Sequence, residues 1–281
     1  LKGTVLVTGV LKVPRQMTLR IEPGTVIHFA GATDKQAAAS LEVAGRLVAQ
    51  GTQQAPVVFT GAYRTPFAGD WGGIHFVNSK KKNLMTFCQI SAAHQAMSLS
   101  ASTLTMKGGS IGHSREGVLV TDSTMVISHG VQVHHVERAI AMQRGTLIVH
   151  GAVLRDNRLG LQADQSSLTL QQVVVLRNAQ EGVQLTDSRF TLEQVRIAEN
   201  RTGLSVQGGS GQVRESRFVT NRQDGLAAKD AQIRILESLF AENQGLGVFL
   251  TRVHGQINRS VLRHNQGGAL RAITSSQVDA S

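Results

Sequence analysis

Three residues whose side chains suit metal binding or proton transfer recur at nearly regular intervals in the middle of the chain. They are His113, His135 and Asp156. Imidazole and carboxylate groups serve as metal ligands and as general acids or bases. His134 and Arg155 each precede one of them by a single residue. We take His113, His135 and Asp156 as candidate catalytic residues, and Arg155 and His134 as candidate ligand-binding residues.

A repeat of about 22 residues decides whether these side chains meet. One asparagine recurs in steps of 21, 22, 21, 22 and 22 residues, at Asn157, Asn178, Asn200, Asn221, Asn243 and Asn265. Glycine keeps a similar interval over the same stretch. Such a period indicates one supersecondary unit stacked on itself. Stacking would bring His113, His135 and Asp156 to one turn position in three successive units, about 4.8 Å apart.

Each repeat contains three short segments in which apolar and polar residues alternate. In residues 182–202 the apolar pairs are Val183 with Leu185, Phe190 with Leu192, and Val195 with Ile197. Alternation with a period of two predicts strands. We therefore predict an all-β fold, a parallel β-helix (solenoid) of about twelve coils with three short strands per coil. Residues 1–72 would form less regular N-terminal coils and a cap, and residues 73–281 regular coils of 21–23 residues, within one continuous domain.

The six repeat asparagines fall at turns, where their amides can bond to each other and to the backbone. Six copies at one interval argue against a catalytic role. We predict a structural ladder formed by these six side chains.

The charge balance favours a polyanionic partner. The chain has 29 Lys and Arg against 19 Asp and Glu, a net charge of +10. Such a balance suits acidic polysaccharide, lipopolysaccharide, nucleic acid or an acidic protein, although solubility alone also explains it. Lys80, Lys81 and Lys82 fall in the longest regular interval, so we predict an exposed loop that contacts anions or is simply a solvated charge run.

Other features limit the class of protein. A single cysteine, Cys88, excludes an internal disulfide and a cysteine-based metal site. No apolar run approaches the roughly 20 residues that span a membrane. The chain opens at Leu1, as a processed or trimmed product would. We expect no cofactor, apart from a divalent cation that His113, His135 and Asp156 could bind.

The N-terminal stretch carries a family resemblance. Residues 19–29, 41–52, 56–60 and 69–74 are similar to the opening of secreted bacterial β-helix proteins, and the coils from residue 73 onward resemble those of the pectin-lyase-like superfamily. The resemblance implies a right-handed, three-faced solenoid that is exported, whether periplasmic, outer-membrane-associated or extracellular. It does not imply one reaction, because the fold serves enzymes, adhesins and scaffolds.

The familiar enzymatic signatures of that superfamily are missing. The carboxylates are scattered rather than paired for acid and base work, and an Asp-Pro-His-Glu run is absent. We therefore predict a non-catalytic exported scaffold or binding module for an acidic polysaccharide or an envelope protein, with self-assembly as a further option. Nucleic acid is not an expected partner. The alternative is a lyase or epimerase acting on a uronate-containing polysaccharide through His113, His135 and Asp156.

Overall fold

The computed structural model describes residues 1–33, 37–273 and 276–280. Within these ranges the regular elements are 34 β-strands and no helix, and the strands pair in parallel. Accordingly, none of the described residues forms a helix with the length and apolar character needed to cross a membrane. The predicted all-β class is confirmed.

The chain divides into two compact units, Leu1–Ala141 and Met142–Ser281. The strands of the first unit are β1 (Thr4–Val7), β2 (Val10–Val13), β3 (Thr18–Ile21), β4 (Val26–Phe29), β5 (Ser40–Val43), β6 (Arg46–Gln50), β7 (Val57–Gly61), β8 (Trp71–Val77), β9 (Asn83–Ser91), β10 (Ala93–Ser100), β11 (Thr103–Gly112), β12 (Glu116–Thr121), β13 (Thr124–Ser128) and β14 (Gln132–His134). The boundary between the units falls within β15 (Arg138–Gln143).

The strands of the second unit are β16 (Thr146–His150), β17 (Val153–Arg155), β18 (Leu159–Asp164), β19 (Ser167–Gln171), β20 (Val174–Leu176), β21 (Val183–Thr186), β22 (Arg189–Glu193), β23 (Arg196–Ala198), β24 (Leu204–Gln207), β25 (Ser210–Arg214), β26 (Arg217–Val219), β27 (Leu226–Lys229), β28 (Gln232–Leu236), β29 (Leu239–Ala241), β30 (Leu246–Thr251), β31 (His254–Asn258), β32 (Val261–Arg263), β33 (Gly268–Ile273) and β34 (Gln277–Ala280).

One coil of the second unit shows how the fold is built. It consists of β18, β19 and β20, and each of them pairs in register with the strand at the same place one coil later. Twelve strands of the described chain, from β2 to β33, pair in one sheet, and each of them is the first strand of a coil. The predicted coil number and the three strands per coil are therefore confirmed. The predicted division at residue 72 stays a prediction, and Ser281 lies outside the described residues.

The core is made by the alternation that the sequence shows. In β22 the apolar Phe190 and Leu192 are buried while Arg189 and Thr191 are exposed. In the first unit Trp71 is fully buried and its ring stacks on Phe29 with centroids 4.1 Å apart. In strands with this alternation, such as β22, one face packs inward and the other is left for solvent or a ligand.

The corners between strands are held by residues with positive φ. Asp187, Gln194 and Glu199 have φ values of 45°, 53° and 59° and turn a single coil three times. The left-handed region is uncommon for residues other than glycine, and Asn, Asp and His enter it most readily. Side chains at a given corner of successive coils become neighbours, because each coil repeats the turn.

The six repeat asparagines form a hydrogen-bonded ladder in the second unit. The Nδ2 amide of Asn178 donates to Asn200 Oδ1 at 2.9 Å, and that of Asn221 donates to Asn243 Oδ1 at 2.9 Å. Asn200 Nδ2 also donates to the carbonyl of Ala198 at 2.9 Å. Each rung satisfies backbone groups that would otherwise be buried without partners.

The glycine that recurs beside the ladder is required by close approach. A Cβ at Gly203 would lie 2.4 Å from the Gly225 carbonyl oxygen and 3.1 Å from Asn221 Nδ2. Any larger residue would push the coils apart at this position, so the glycine and asparagine repeats have one structural origin.

Candidate functional site

His113, His134 and His135 form a compact histidine cluster in the first unit. The rings of His113 and His135 stack with centroids 4.8 Å apart and planes 14° from parallel. The His134 ring meets both of them edge-on, at 5.3 Å and 5.1 Å. His134 Nδ1 and His135 Nδ1 are 2.9 Å apart. One ligand atom from each of the three side chains can be chosen so that all three lie within 4.8 Å of one another.

The register of β11 and β14 brings these imidazoles together. Gly112 pairs with His134, so the next residues, His113 and His135, occupy the same corner of two coils. Both have positive φ, 49° and 54°. A Cβ at Gly112 would lie 2.5 Å from the His134 ring, so the missing side chain leaves the space that the ring fills.

Asp156, the third predicted member, lies in the second unit and is bound by arginines. Its carboxylate accepts hydrogen bonds from Arg177 Nε at 2.7 Å and Nη2 at 3.0 Å. Arg155 Nη1 donates to it at 2.6 Å. The hydrogen bonds from Arg177, followed by those from Arg155, lower the pKa of Asp156 to about 2. The carboxylate is therefore ionised at neutral pH, and this bidentate arrangement suits holding arginines better than transferring protons.

Lys80, Lys81 and Lys82 lie on an exposed loop between β8 and β9. The loop is anchored by Ser79 Oγ, which donates to the Gly45 carbonyl at 2.5 Å, and by Asn83 Oδ1, which accepts from Leu47 N at 2.8 Å. Within the described residues no carboxylate lies within 4.0 Å of these ammonium groups. All three charges are thus presented to solvent, while their role as an anion contact stays a prediction.

A polar column that we did not predict lies on the outer face of β5, β8 and β10. Glu42 pairs with His75, and His75 pairs with Ser98. His75 Nδ1 lies 2.8 Å from Ser98 Oγ. Burial lowers the pKa of His75, opposed by the negative charge of Glu42. The imidazole is therefore neutral at pH 7.

The other nitrogen of His75 is free. Nε2 has no hydrogen-bond partner among the described residues and lies 3.8 Å from the place where a Cβ of Gly72 would stand. The alternation around residues 42, 75 and 98 was visible in the sequence. Aligning these three segments so that equivalent coil positions coincide places Glu42, His75 and Ser98 in one column.

A shallow groove of about 560 Å³ crosses the outer face of β19, β22, β25, β28 and β31 in the second unit. Two columns of polar side chains form it. The first contains Ser167, Arg189, Ser210, Gln232 and His254. The second contains Thr169, Thr191, Gln212, Arg234 and Gln256.

The groove is basic. Its lining contains Arg189, Arg234 and His254, and no Asp or Glu is among the described residues that line it. Neither guanidinium has an ion-pair partner within the described part of the chain. Sequence alternation placed these residues outward, but a mixture of Ser, Thr, Gln and Arg also resembles an ordinary solvent face.

Comparison with known proteins agrees with this architecture. Residues 140–281 match the family described as "Right handed beta helix region", and residues 2–119 match the "Pectate-lyase like beta helix domain". The chain therefore belongs to the right-handed parallel β-helix proteins of the pectin-lyase-like superfamily. No curated protein matches it in sequence.

Several solved structures are similar to this chain at low identity. A double mutant of the periplasmic alginate epimerase AlgG is 15% identical with a TM-score of 0.47, covering 99% of this chain and 76% of the epimerase. Pectate lyase Pel9A is 13% identical with a TM-score of 0.46, over 95% and 79% of the two chains. The A-module of Azotobacter vinelandii mannuronan C-5 epimerase AlgE4 is 11% identical with a TM-score of 0.43, over 98% and 91%.

Proposed function

We propose that the protein binds an acidic polysaccharide in the groove of the second unit. The observation that carries this proposal is the presence of Arg189, Arg234 and His254 among the lining residues without any carboxylate. A guanidinium can bind a sugar carboxylate through two parallel, charge-assisted hydrogen bonds. The hydroxyl and amide groups in the two columns can donate to and accept from sugar hydroxyls.

The repeat supports a polymeric ligand rather than a small one. Outward polar side chains occupy equivalent positions at each coil, about 4.8 Å apart, so a chain lying across the coils meets a polar or charged group at every step. Five strands contribute to the groove, and weak contacts repeated along one polymer add up. An exported location, an envelope-protein partner and self-assembly stay predictions beside this proposal.

The test compares two arginine pairs. Replacing Arg189 and Arg234 together with glutamine removes two charges from the groove. The matched control replaces Arg196 and Arg217, which are exposed on β23 and β26 outside the groove. Binding of polyuronates and of a neutral polysaccharide is measured by titration calorimetry. We expect the groove pair to weaken polyuronate binding roughly tenfold or more and the control pair much less. Equal losses would mean that net charge, not the groove, binds the polymer.

We infer a second candidate function, a lyase or epimerase acting on a uronate-containing polysaccharide. The match of residues 2–119 to the pectate-lyase-like family supports this alternative better than a non-catalytic scaffold. His75 lies in the same segment and offers a neutral imidazole with a free Nε2. Such a group can remove the proton on the carbon next to a uronate carboxylate. The resulting carbanion has two alternative fates. In a lyase the bond to the glycosidic oxygen breaks, this oxygen takes up a proton as it leaves, and an unsaturated sugar remains. In an epimerase that bond stays intact and a proton added from the other face gives the epimer.

The catalytic candidate is tested separately from binding. Ultraviolet absorbance reports unsaturated uronates, and proton NMR reports epimerised residues, in alginate, pectate and glycosaminoglycans. His75→Gln and His135→Ala distinguish the two candidate bases, and the exposed His94→Gln is the control. Loss of product with one variant alone identifies the base. Absence of product on every polymer rejects this candidate while leaving the binding proposal standing.

A further inference from the structure

We propose that His113, His134 and His135 bind a late first-row transition-metal ion of the Zn²⁺, Cu²⁺ or Ni²⁺ type. This site is separate from the groove and goes beyond the proposed function. Three imidazole groups converge, with one ligand atom from each within 4.8 Å of the other two. Three protein ligands with a fourth position open to water form a known arrangement for zinc.

The distances in the cluster fit such an ion. Zinc–nitrogen bonds of about 2.0–2.1 Å in a tetrahedron place neighbouring nitrogen atoms about 3.4 Å apart. The Nδ1 atoms of His134 and His135 are 2.9 Å apart, and one ligand atom from each of the three histidines lies within 4.8 Å of the other two. Small rotations about the side-chain torsions therefore reach the bonding geometry without moving the backbone.

The contact between two of the rings shows that the cluster carries a lone pair that a metal could use. Two nitrogen atoms 2.9 Å apart cannot both carry protons without repulsion, so at least one presents a lone pair. Without a metal, the pair is an N–H···N hydrogen bond, and a cation placed among the three rings would replace it with coordinate bonds. Neutral imidazole ligands are the form that zinc, copper and nickel bind.

The backbone holds the cluster before any ligand arrives. His113 and His135 occupy equivalent corners, and the His113 carbonyl accepts from Ala92 N at 3.0 Å. The His134 ring is confined above Gly112. Because the corners are formed by the fold, little conformational entropy is lost when a metal binds.

The composition of the cluster selects among cations. Its members are all histidines, and among the described residues no carboxylate belongs to the group. Calcium and magnesium require oxygen ligands. We therefore expect the site to discriminate strongly against both ions.

The experiment uses the full chain without an affinity tag, since added histidines would bind the same ions. Titration calorimetry with ZnCl₂, NiCl₂, CuCl₂ and CaCl₂ is expected to show one saturable site for the first three ions and none for calcium. His113→Asn and His135→Asn keep a residue that tolerates positive φ, and each is expected to weaken binding roughly tenfold or more. The control is His129→Asn, whose φ of 49° matches but which lies outside the cluster.

Two results would overturn the proposal. One is the absence of saturable binding of any transition-metal ion by the wild-type chain. The other is an equal loss of affinity in His129→Asn and His135→Asn, which would indicate scattered surface histidines. NMR on the wild-type chain keeps the test independent of variant folding: substoichiometric Ni²⁺ must broaden the His113, His134 and His135 ring signals before those of His129.

Discussion

At the scale of single residues, the surroundings of a titratable group decide its chemistry more than its type does. Asp156 and His135 are both candidate catalysts in the sequence, yet they meet different neighbours. Asp156 receives three hydrogen bonds from Arg177 and Arg155, whereas His135 meets two other imidazoles. The first arrangement stabilises a fixed charge, and the second concentrates lone pairs suited to a metal.

The ion pairs of Asp156 make a prediction about stability and pH. Because Arg177 and Arg155 lower the pKa of Asp156 from 3.8 to about 2, the pairs stabilise the folded chain above pH 4. That stability is lost as the pH falls from about 4 to about 2. Solvent screening of the exposed Arg177 reduces the contribution to about 1 kcal/mol.

The measurement is urea unfolding of the wild type and Asp156→Asn at several pH values. We expect the variant to be about 1 kcal/mol less stable at pH 7 and nearly equal at pH 2. Asp187→Asn is the control, since Asp187 has a similar positive φ and no ion pair among the described residues. A pH-independent difference for Asp156→Asn would contradict the assignment.

The burial of His75 makes a prediction of the same sign for a base, in a higher pH range. Its pKa is lowered from 6.5, so the unfolded chain takes up a proton first as the pH falls. Folded wild-type protein therefore loses stability below pH 6.5, until the folded pKa is passed. His75→Gln cannot gain this proton. We expect the Tm difference between wild type and variant to change between pH 7.5 and pH 5, as read by calorimetry, and a constant difference would rule out a lowered pKa.

At the scale of the strand and the coil, hydrogen bonds between equivalent positions connect one repeat to the next. Asn200 illustrates this, because its Oδ1 accepts from Asn178 N at 2.9 Å while its Nδ2 donates to Ala198 O. The alternating apolar residues predicted the inward faces correctly, as the burial of Phe190 and Leu192 shows. Local alternation is sufficient to predict the inward faces because every coil repeats the same arrangement of strands and turns.

The asparagine ladder predicts that an Asn→Ala substitution lowers the free energy of unfolding more at an inner rung than at the last one. Asn200→Ala leaves buried donors and acceptors without partners and is expected to cost about 3 kcal/mol in the free energy of unfolding. Asn265→Ala, at the last rung, faces solvent in part and is expected to cost about 1 kcal/mol. Chemical unfolding of both variants measures the difference. Equal costs would mean that the asparagine contributes by turn propensity and not by stacking.

At the scale of the whole molecule, charge and repetition act together. The chain carries a net charge of +10, but charge alone attracts any polyanion. The groove adds selectivity, because Arg189, Arg234 and His254 lie among hydroxyl and amide groups that continue over five strands. A polymer with regularly spaced carboxylates matches this surface better than an isolated anion does.

This surface predicts a dependence on ligand length and on salt. Four steps between five strands span about 19 Å, so the affinity of uronate oligomers is expected to rise until they cover that length and then level off. Increasing the salt concentration from about 50 mM to about 500 mM is expected to weaken binding strongly, since exposed charges are screened. Calorimetry with a series of oligomers tests both. An affinity that is independent of oligomer length and of salt concentration would exclude the groove as the binding surface.

The amino-acid sequence by itself determined the coil, its three strands, the inward faces and the stacking of equivalent positions. These properties follow from short-range alternation and from a period repeated many times, so local physics suffices. The repeat also fixes which residues of successive coils are equivalent, and this equivalence pairs Asp156 with Arg177 and His75 with Ser98. Both pairs become visible only when each outward position is compared with the same position one coil later.

Only the tertiary structure decided which outward side chains meet. The His134 ring lies above Gly112, and Arg177 rather than a histidine binds Asp156 in the second unit. Such choices depend on side-chain torsions and on the size of neighbours one coil away, which the repeat does not specify. The unpaired arginines of the groove likewise become distinctive only when the surface shows that no carboxylate lines it.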